Sequence, residues 1–164
     1  EHGGVFMKMA KNDRQESILR LIRSKEISTQ EELVSELIGA GLTITQATVS
    51  RDIKDLGIIK ITSPSGLAKY TVLDRTGDVA PGRLLNVFSQ SVISCESAQN
   101  LVIIRTLPGM AQAAASALDS IHLPGVIGTI AGDDTVFVAS PGNQDALALV
   151  NTIRDMNSRL NSEI

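Results

Sequence analysis

Aromatic side chains are scarce in this sequence. They make up 2% of its 164 residues, with three Phe, one Tyr and no Trp. A hydrophobic core must therefore be aliphatic, built from Ile, Leu, Val and Ala. A stacking platform for single-stranded nucleic acid is excluded, because such a platform needs several exposed aromatic rings.

Cysteine is almost absent as well. Cys95 is the only one, so no intrachain disulfide can form, and a reducing compartment is the expected environment. An isolated cysteine is most often a small buried apolar residue, and we expect Cys95 in a core rather than as a reactive thiol.

No apolar run is long enough to predict a transmembrane helix, and the first residues lack the basic-then-apolar pattern of a signal peptide. We therefore predict a cytoplasmic protein with no membrane partner. Residues 1–8 are interpreted as a leader outside the folded domains.

Groups for catalysis or metal binding are also missing. His2 lies in the leader and His122 stands alone at a predicted helix end. The sequence has no Cys/His metal spacing, no Gly-rich phosphate loop and no nucleophile elbow. We predict no enzymatic activity, no catalytic residues and no metal site.

The net charge of −3 does not suggest a nucleic-acid partner until the chain is divided. Residues 1–72 contain ten Lys or Arg and nine Asp or Glu, whereas residues 73–164 contain five and nine. The excess negative charge therefore lies in the second part. This asymmetry points to nucleic-acid binding near the N-terminus.

Three short helices are predicted in residues 12–57, where apolar residues recur at helical spacing. Ser28 with Glu31 predicts a capping box at the start of the second helix, and Thr45 is the predicted N-cap of the third. Their apolar faces hold, in chain order, Ile18, Leu21 and Ile22; Leu33, Val34, Leu37 and Ile38; and Val49, Ile53 and Leu56.

A β-hairpin is predicted directly after these helices. Strand patterns at 58–61 and 69–72 flank the turn sequence SPSG at 63–66. Three short helices followed by a hairpin are typical of a winged helix-turn-helix, here residues 9–73. Residues 74–82 carry Gly, Pro and charge without periodicity, and we interpret them as a linker.

Residues 83–164 are predicted to form a second domain, so that the whole chain is of the α+β class. The order of helices and strands predicts an antiparallel sheet with helices over one face. Small side chains between Met110 and Ala117 favour close packing on another element or another subunit. The predicted elements are a helix at 83–90, strands at 92–96 and 101–106, a helix at 109–121, strands at 126–131 and 135–139, and a helix at 143–160.

The third helix carries short polar residues and two cations opposite its apolar face. Small residues allow close approach to DNA, hydroxyls bond phosphates, and Arg can contact guanine through two hydrogen bonds. A solvated helix is the alternative, and Asp52 and Asp55 favour it unless they face the protein. The residues that we predict to contact DNA are Thr48, Ser50, Arg51 and Lys54 on this helix, with Lys60 and Lys69 on the hairpin.

A Gly-Asp-Asp turn joins the two strands predicted at 126–131 and 135–139. An ordinary hairpin turn would account for it. Alternatively, the adjacent carboxylates of Asp133 and Asp134 repel each other and would bind a cation. That cation is a metal ion or a guanidinium, whose planar fork matches carboxylate oxygens.

Residues 12–150 resemble the bacterial arginine repressor family in both halves and in the same order. Three segments carry the resemblance: TQATVSRD at 45–52, PGMAQ at 108–112 and GTIAGDDT at 128–135. The resemblance implies that the winged helix binds operator DNA of arginine-metabolism genes. It also implies that the C-terminal domains form trimers that pair into hexamers, with L-arginine as co-repressor where the trimers meet.

The resemblance also assigns residues to the two sites. It implies that the paired aspartates bind the guanidinium, one of them from the opposing trimer, and that Gln112 holds the α-amino and carboxylate end. The family's DNA positions fall on Gln46, Thr48, Ser50 and Arg51. Its ligand positions fall on Ala111, Gln112, Asp119, Thr129, Ala131, Asp133 and Asp134.

Two other functions remain open at this point. An enzyme, or a regulatory subunit of one, would bind an amino acid but no operator, and an architectural DNA-binding protein would bind DNA but no L-arginine. Repression or activation at each gene is open too, as are activation of arginine catabolism and a preference for lysine or ornithine.

Overall fold

The computed structural model describes residues 9–73 and 77–161 and shows an α+β protein. The interpretation of residues 1–8 as a leader, with His2, falls outside the described residues, as do residues 74–76 of the proposed linker. In the two described ranges, no helix combines the length and apolarity that a membrane span needs.

The N-terminal part consists of three helices and a two-stranded antiparallel hairpin. Aliphatic residues from all five elements, with Tyr70, form one core, as the scarcity of aromatic residues predicts. The elements are α1 (Lys11–Ser24), α2 (Gln30–Gly39), α3 (Gln46–Asp55), β1 (Ile58–Thr62) and β2 (Ala68–Val72).

The helix caps agree with the sequence at α3 and differ by one residue at α2. The hydroxyl of Thr45 accepts a hydrogen bond from the backbone N–H of Thr48, as expected for an N-cap. At α2 the predicted Ser28 cap is wrong: Thr29 is the N-cap and accepts from the N–H of Glu32 at 3.1 Å. Glu32 in turn accepts from the N–H of Ser28 at 2.9 Å. The N-cap therefore lies one residue later than predicted, and the Glu32 carboxylate binds the N–H of the residue before it rather than that of the N-cap itself.

The C-terminal part contains a four-stranded antiparallel sheet in the order β3-β4-β6-β5. Helix α4 begins two residues before its predicted start. Helix α5 begins two residues after its own predicted start, because Gly109 has a left-handed φ of +76°. The elements are α4 (Pro81–Ser91), β3 (Val92–Ala98), β4 (Leu101–Thr106), α5 (Ala111–Ile121), β5 (Gly128–Ala131), β6 (Thr135–Ala139) and α6 (Asn143–Asn161).

The sheet has one covered face and one open face. Alternate residues of its two central strands, among them Val102, Ile104, Val136 and Val138, are fully buried under the helices. The residues between them point the other way, where Phe137 on β6 pairs with Ile103 on β4 and Ile130 on β5. The prediction of helices over one face is confirmed, and we call the opposite side the open face.

The alanine-rich helix α5 packs within the chain. Ala111, Ala114, Ala115 and Ala117 are buried in the same cluster as α4 residues Leu85 and Phe88. The small side chains predict packing on another element or on another subunit, and the structure shows packing on another element of the same chain. Cys95 is 4% exposed, so the prediction that it lies in a core is confirmed. Burial raises the pKa of its thiol to about 12.

The hairpin also contacts the C-terminal part. Ile59 of β1 lies in the C-terminal core, and the backbone N–H of Thr62 donates to the hydroxyl of Thr152 on α6 at 3.0 Å. Between α3 and β1, Gly57 lies so close to Pro81 that a Cβ at position 57 would meet the proline ring at 2.6 Å. The hairpin therefore packs on α6, and the start of α4 packs beside the end of α3.

Candidate DNA-binding and ligand-binding sites

The apolar face of α3 holds this helix against the N-terminal core. Val49 is fully buried and Ile53 is 5% exposed. Arg51, between them in sequence, lies on the exposed side. The helix therefore directs Arg51 outward, and an outward arginine on a helix of this kind can reach base edges in the major groove.

The charges of both aspartates of α3 are compensated by residues of α1. Asp52 is 1% exposed, and its carboxylate accepts hydrogen bonds from Arg14 and Gln15 on α1. Burial alone would raise the pKa of Asp52, but the hydrogen bonds from Arg14 and Gln15 and the charges of Arg14 and Lys11 outweigh it. The net effect lowers the pKa below the ordinary value of 3.8. Asp55 is exposed and pairs with Lys11 at 2.8 Å.

Three of the predicted DNA contacts lie around one cavity of about 130 Å³. Ser50 and Lys54 of α3 and Lys60 of β1 line it, and Asp155 and Met156 of α6 line its other side. The cavity lies where the hairpin packs on the C-terminal part. In this arrangement these three residues face α6 as well as solvent.

The other predicted DNA contacts are dispersed. The Gln46 side chain donates to the Glu31 carboxylate at 3.3 Å, and Thr48 shares a hydrogen bond with the Thr45 hydroxyl at 2.9 Å. Lys69 lies 3.6 Å from the Glu26 carboxylate, near the end of α1. Lys69 pairs across the hairpin with Ile61 and does not line the cavity formed by Ser50, Lys54 and Lys60.

The Gly-Asp-Asp turn between β5 and β6 is fixed by three backbone hydrogen bonds. The Gly132 N–H donates to the Thr135 carbonyl at 2.8 Å, and the Thr106 N–H at the end of β4 donates to the Asp134 carbonyl at 2.8 Å. The N–H of Ala111, the first residue of α5, donates to the Asp133 carbonyl at 3.2 Å. The turn is thereby held between β4 and the start of α5.

The two adjacent carboxylates have different partners. The Asp133 carboxylate accepts from the Gly109 N–H at 3.3 Å, beside the start of α5. The Asp134 carboxylate accepts from the Thr135 hydroxyl at 2.9 Å and lies 3.6 Å from a nitrogen of Arg105. The pair therefore presents one carboxylate toward α5 and the other toward the sheet, rather than one clamp for a single cation.

The remaining ligand positions line the contact between α5 and the edge strand β5. The Gln112 side chain donates to the Ala131 carbonyl at 3.1 Å, and the Thr129 hydroxyl donates to the Asp119 carboxylate at 2.9 Å. Ala111 is fully buried, so its side chain only packs, while Gln112 and Asp119 are exposed. The structure brings all seven positions into one strip along α5, β5 and the turn.

Arg105 was not predicted as a member of this site. Nothing in the sequence near Arg105 marks it, because its contact with Asp134 depends on the pairing of β4 with β6. Within residues 9–73 and 77–161, no group of three or more His, Cys, Asp or Glu is arranged to hold a metal ion. His122 ends α5 in a left-handed conformation with φ of 57°, and its ring contacts the Ser120 carbonyl.

Two family models match consecutive parts of the chain. The model described as "Arginine repressor, DNA binding domain" matches residues 9–78, and the model described as "Arginine repressor, C-terminal domain" matches residues 88–155. The first match contains the three helices and the hairpin, and the second contains the sheet, α5 and most of α6.

Several curated proteins are similar over most of the chain. An arginine repressor from Caldicellulosiruptor saccharolyticus is 50% identical over 144 residues, which cover 88% of this chain and 95% of that protein. One from Alkaliphilus metalliredigens is 52% identical over 128 residues, covering 78% and 86%. One from Clostridium kluyveri is 44% identical over 146 residues, covering 89% and 97%.

Proposed function

Since this chain belongs to the arginine repressor family, we propose that it binds operator DNA with L-arginine as co-repressor and represses arginine biosynthesis genes. The winged helix is the DNA-binding part, and the domain that begins with α4 binds the ligand and assembles the oligomer. The protein acts in the cytoplasm, where the chromosomal operators are, and it requires neither a metal ion nor enzymatic chemistry.

One observation carries the ligand proposal. Seven residues that are spread over 24 positions of the sequence form a single strip in space, with Asp119, Asp133 and Asp134 supplying its negative charge. Two turn carboxylates with different partners suit a ligand that is shared between subunits. A guanidinium can bind one of them in each subunit, because its donors form a planar fork for the oxygens of a carboxylate.

Oligomerisation follows from the DNA side of the proposal. One winged helix covers a single half-site, so useful affinity requires several linked heads. The open face offers an assembly surface, since Ile130 is 73% exposed and Phe137 is 47% exposed, and neighbouring apolar residues of this size favour burial in an interface. We propose that trimers form through the C-terminal domain and pair into hexamers around the ligand sites.

Operator contacts are proposed for Gln46, Thr48, Ser50, Arg51, Lys54, Lys60 and Lys69. Arg51 is the clearest candidate for base contact because it is exposed on the outer side of α3. Lys54 and Lys60 line the cavity beside α6 together with Ser50 and are half-buried, so we propose that they contact phosphate rather than base edges.

Calorimetric titration of the full chain with L-arginine and L-citrulline tests the ligand proposal. Citrulline has nearly the same shape but no positive charge, and it therefore brings no cation to the aspartates in the bound state. We expect saturable binding of arginine and much weaker binding of citrulline, with arginine affinity reduced in Asp133→Asn and Asp134→Asn. Asp78→Asn, outside the strip, is the charge-matched control. Equal affinity for both ligands would refute a guanidinium site. Tighter binding of lysine or ornithine, titrated in the same way, would show that L-arginine is not the preferred ligand.

A further inference from the structure

A guanidinium of the protein itself lies beside the turn that carries the two aspartates. Arg105 is near the end of β4 and pairs across the sheet with Thr135, the first residue of β6. Its Nη1 donates to the Thr135 hydroxyl at 2.8 Å, and its Nη2 lies 3.6 Å from Oδ2 of Asp134. The Thr135 hydroxyl donates to the other oxygen of the Asp134 carboxylate at 2.9 Å.

We propose that Arg105 competes with L-arginine for Asp134 and thereby sets the affinity of the ligand site. The inference rests on the proposed function and adds a residue that the ligand positions of the family do not include. Without ligand, the guanidinium of Arg105 partly neutralises Asp134. With ligand, a second guanidinium must share that carboxylate or displace the first.

The contact between Arg105 and Asp134 is suited to exchange of partners. The two side chains are 56% and 47% exposed, and their separation of 3.6 Å is longer than a charge-assisted hydrogen bond. An exposed pair of this kind contributes little to folding. The turn does not need it, because the backbone bonds of Asp134 to Thr106 and of Thr135 to Gly132 hold the turn independently.

The charge of Arg105 opposes the charge of the ligand. Two unit charges about 4 Å apart in water repel each other enough to change an affinity about fivefold. Removal of the Arg105 charge should therefore tighten L-arginine binding by about that factor. The effect should be specific to cationic ligands, because a neutral ligand such as citrulline is not repelled.

Calorimetric titration of the full chain separates this inference from the proposed function. The variants are Arg105→Gln, which removes the charge, Arg105→Lys, which keeps it, and Arg83→Gln, which removes an exposed charge from α4 in the same domain. Sedimentation at the same protein concentration checks that each variant has the assembly state of the wild type. Arg105→Met, which keeps the apolar stem, replaces the Gln variant if that variant does not fold.

We expect L-arginine to bind Arg105→Gln about fivefold more tightly than wild type, with citrulline unchanged and with Arg105→Lys and Arg83→Gln close to wild type. Unchanged or weaker arginine binding to Arg105→Gln overturns the inference and leaves the proposed function standing. Equal tightening of arginine and citrulline overturns it too, because that result indicates a change in shape rather than charge. If wild type shows no saturable heat with arginine, the proposed function fails and the inference fails with it.

Discussion

Arg14 on α1 and Asp52 on α3 form an ion pair between the two helices, with Nη2 of Arg14 3.0 Å from Oδ1 of Asp52. The side chains are 17% and 2% exposed, and Gln15 donates a further hydrogen bond to the same carboxylate at 3.0 Å. The pair joins the first and third helices, so the negative charge of Asp52 is compensated inside the domain. It therefore adds no unpaired negative charge to the outer side of α3, where we propose that DNA binds.

Replacement of Asp52 should destabilise the winged helix. Asp52→Asn keeps the shape but leaves the Arg14 cation without its counter-charge at a nearly buried site. We expect the free energy of unfolding to fall by about 3 kcal/mol, as when one partner of a buried pair is removed. Asp55→Asn is the matched control, because Asp55 is an exposed partner of Lys11, and it should change stability by less than about 1 kcal/mol. Similar losses in both variants, measured by urea unfolding, would contradict the role of the buried pair.

The same pair gives a pH dependence of known sign. The pKa of Asp52 is lowered in the folded state, so its contribution to stability is present at neutral pH. This contribution begins to be lost as the pH falls below 3.8, the ordinary pKa of an aspartate. It is lost fully once the pH has also fallen below the lower pKa of Asp52 in the folded state. The stability difference between wild type and Asp52→Asn should therefore shrink in acid. A difference that stays constant from neutral pH to strongly acidic pH would show that Asp52 is not held as a carboxylate.

Arg51→Ala should weaken operator binding. Loss of a direct base contact costs about 1–3 kcal/mol, and the Arg51 side chain projects from the exposed side of α3 without supporting the core. Circular dichroism should therefore be unchanged. Arg20→Ala removes an exposed charge from α1, where Arg20 is 74% exposed, and should leave operator affinity nearly unchanged. Equal operator affinities of the two variants would show that the DNA-contacting surface does not include Arg51.

A charge on the open face should reduce assembly. Phe137→Glu introduces a carboxylate at the centre of the apolar row formed with Ile103 and Ile130. We expect a lower sedimenting mass at micromolar protein concentration. Leu147→Glu on α6 is the control, since Leu147 is 48% exposed and Phe137 is 47% exposed. If only the Leu147 variant loses mass, the assembly surface lies on α6 and not on the open face.

Local patterns were sufficient to predict most of the fold. The cap of Thr45 on α3, the hairpin around the turn at 63–66 and the antiparallel sheet under helices are all confirmed. The cap and the hairpin depend on residues that are close in sequence, such as a hydroxyl three residues from an amide, whereas the sheet was predicted from the order of helices and strands. The cap of α2 was misplaced by one residue because Ser28 and Thr29 are adjacent and chemically equivalent.

Contacts between distant residues were beyond the sequence. The burial of Asp52 depends on Arg14, which is 38 positions away, and the contact of Arg105 with Asp134 depends on strand register. The packing of the alanine-rich helix on α4 likewise could not be distinguished from packing on another subunit. The site positions remain predictions that rest on the family resemblance, and the contacts of Asp52 and Asp134 with distant residues could not be predicted from the sequence.

The affinity of the full chain for operator DNA, measured with and without L-arginine at constant salt, tests the central claim most directly. A duplex that the protein itself enriches from random DNA in the presence of arginine serves as the operator, and fluorescence anisotropy gives the affinity. Because ligand binding and assembly are linked, we expect arginine to tighten operator binding at least fivefold, within the usual range of allosteric coupling, and citrulline to have no effect. Operator affinity that is the same with arginine, with citrulline and with neither would contradict an arginine-dependent repressor.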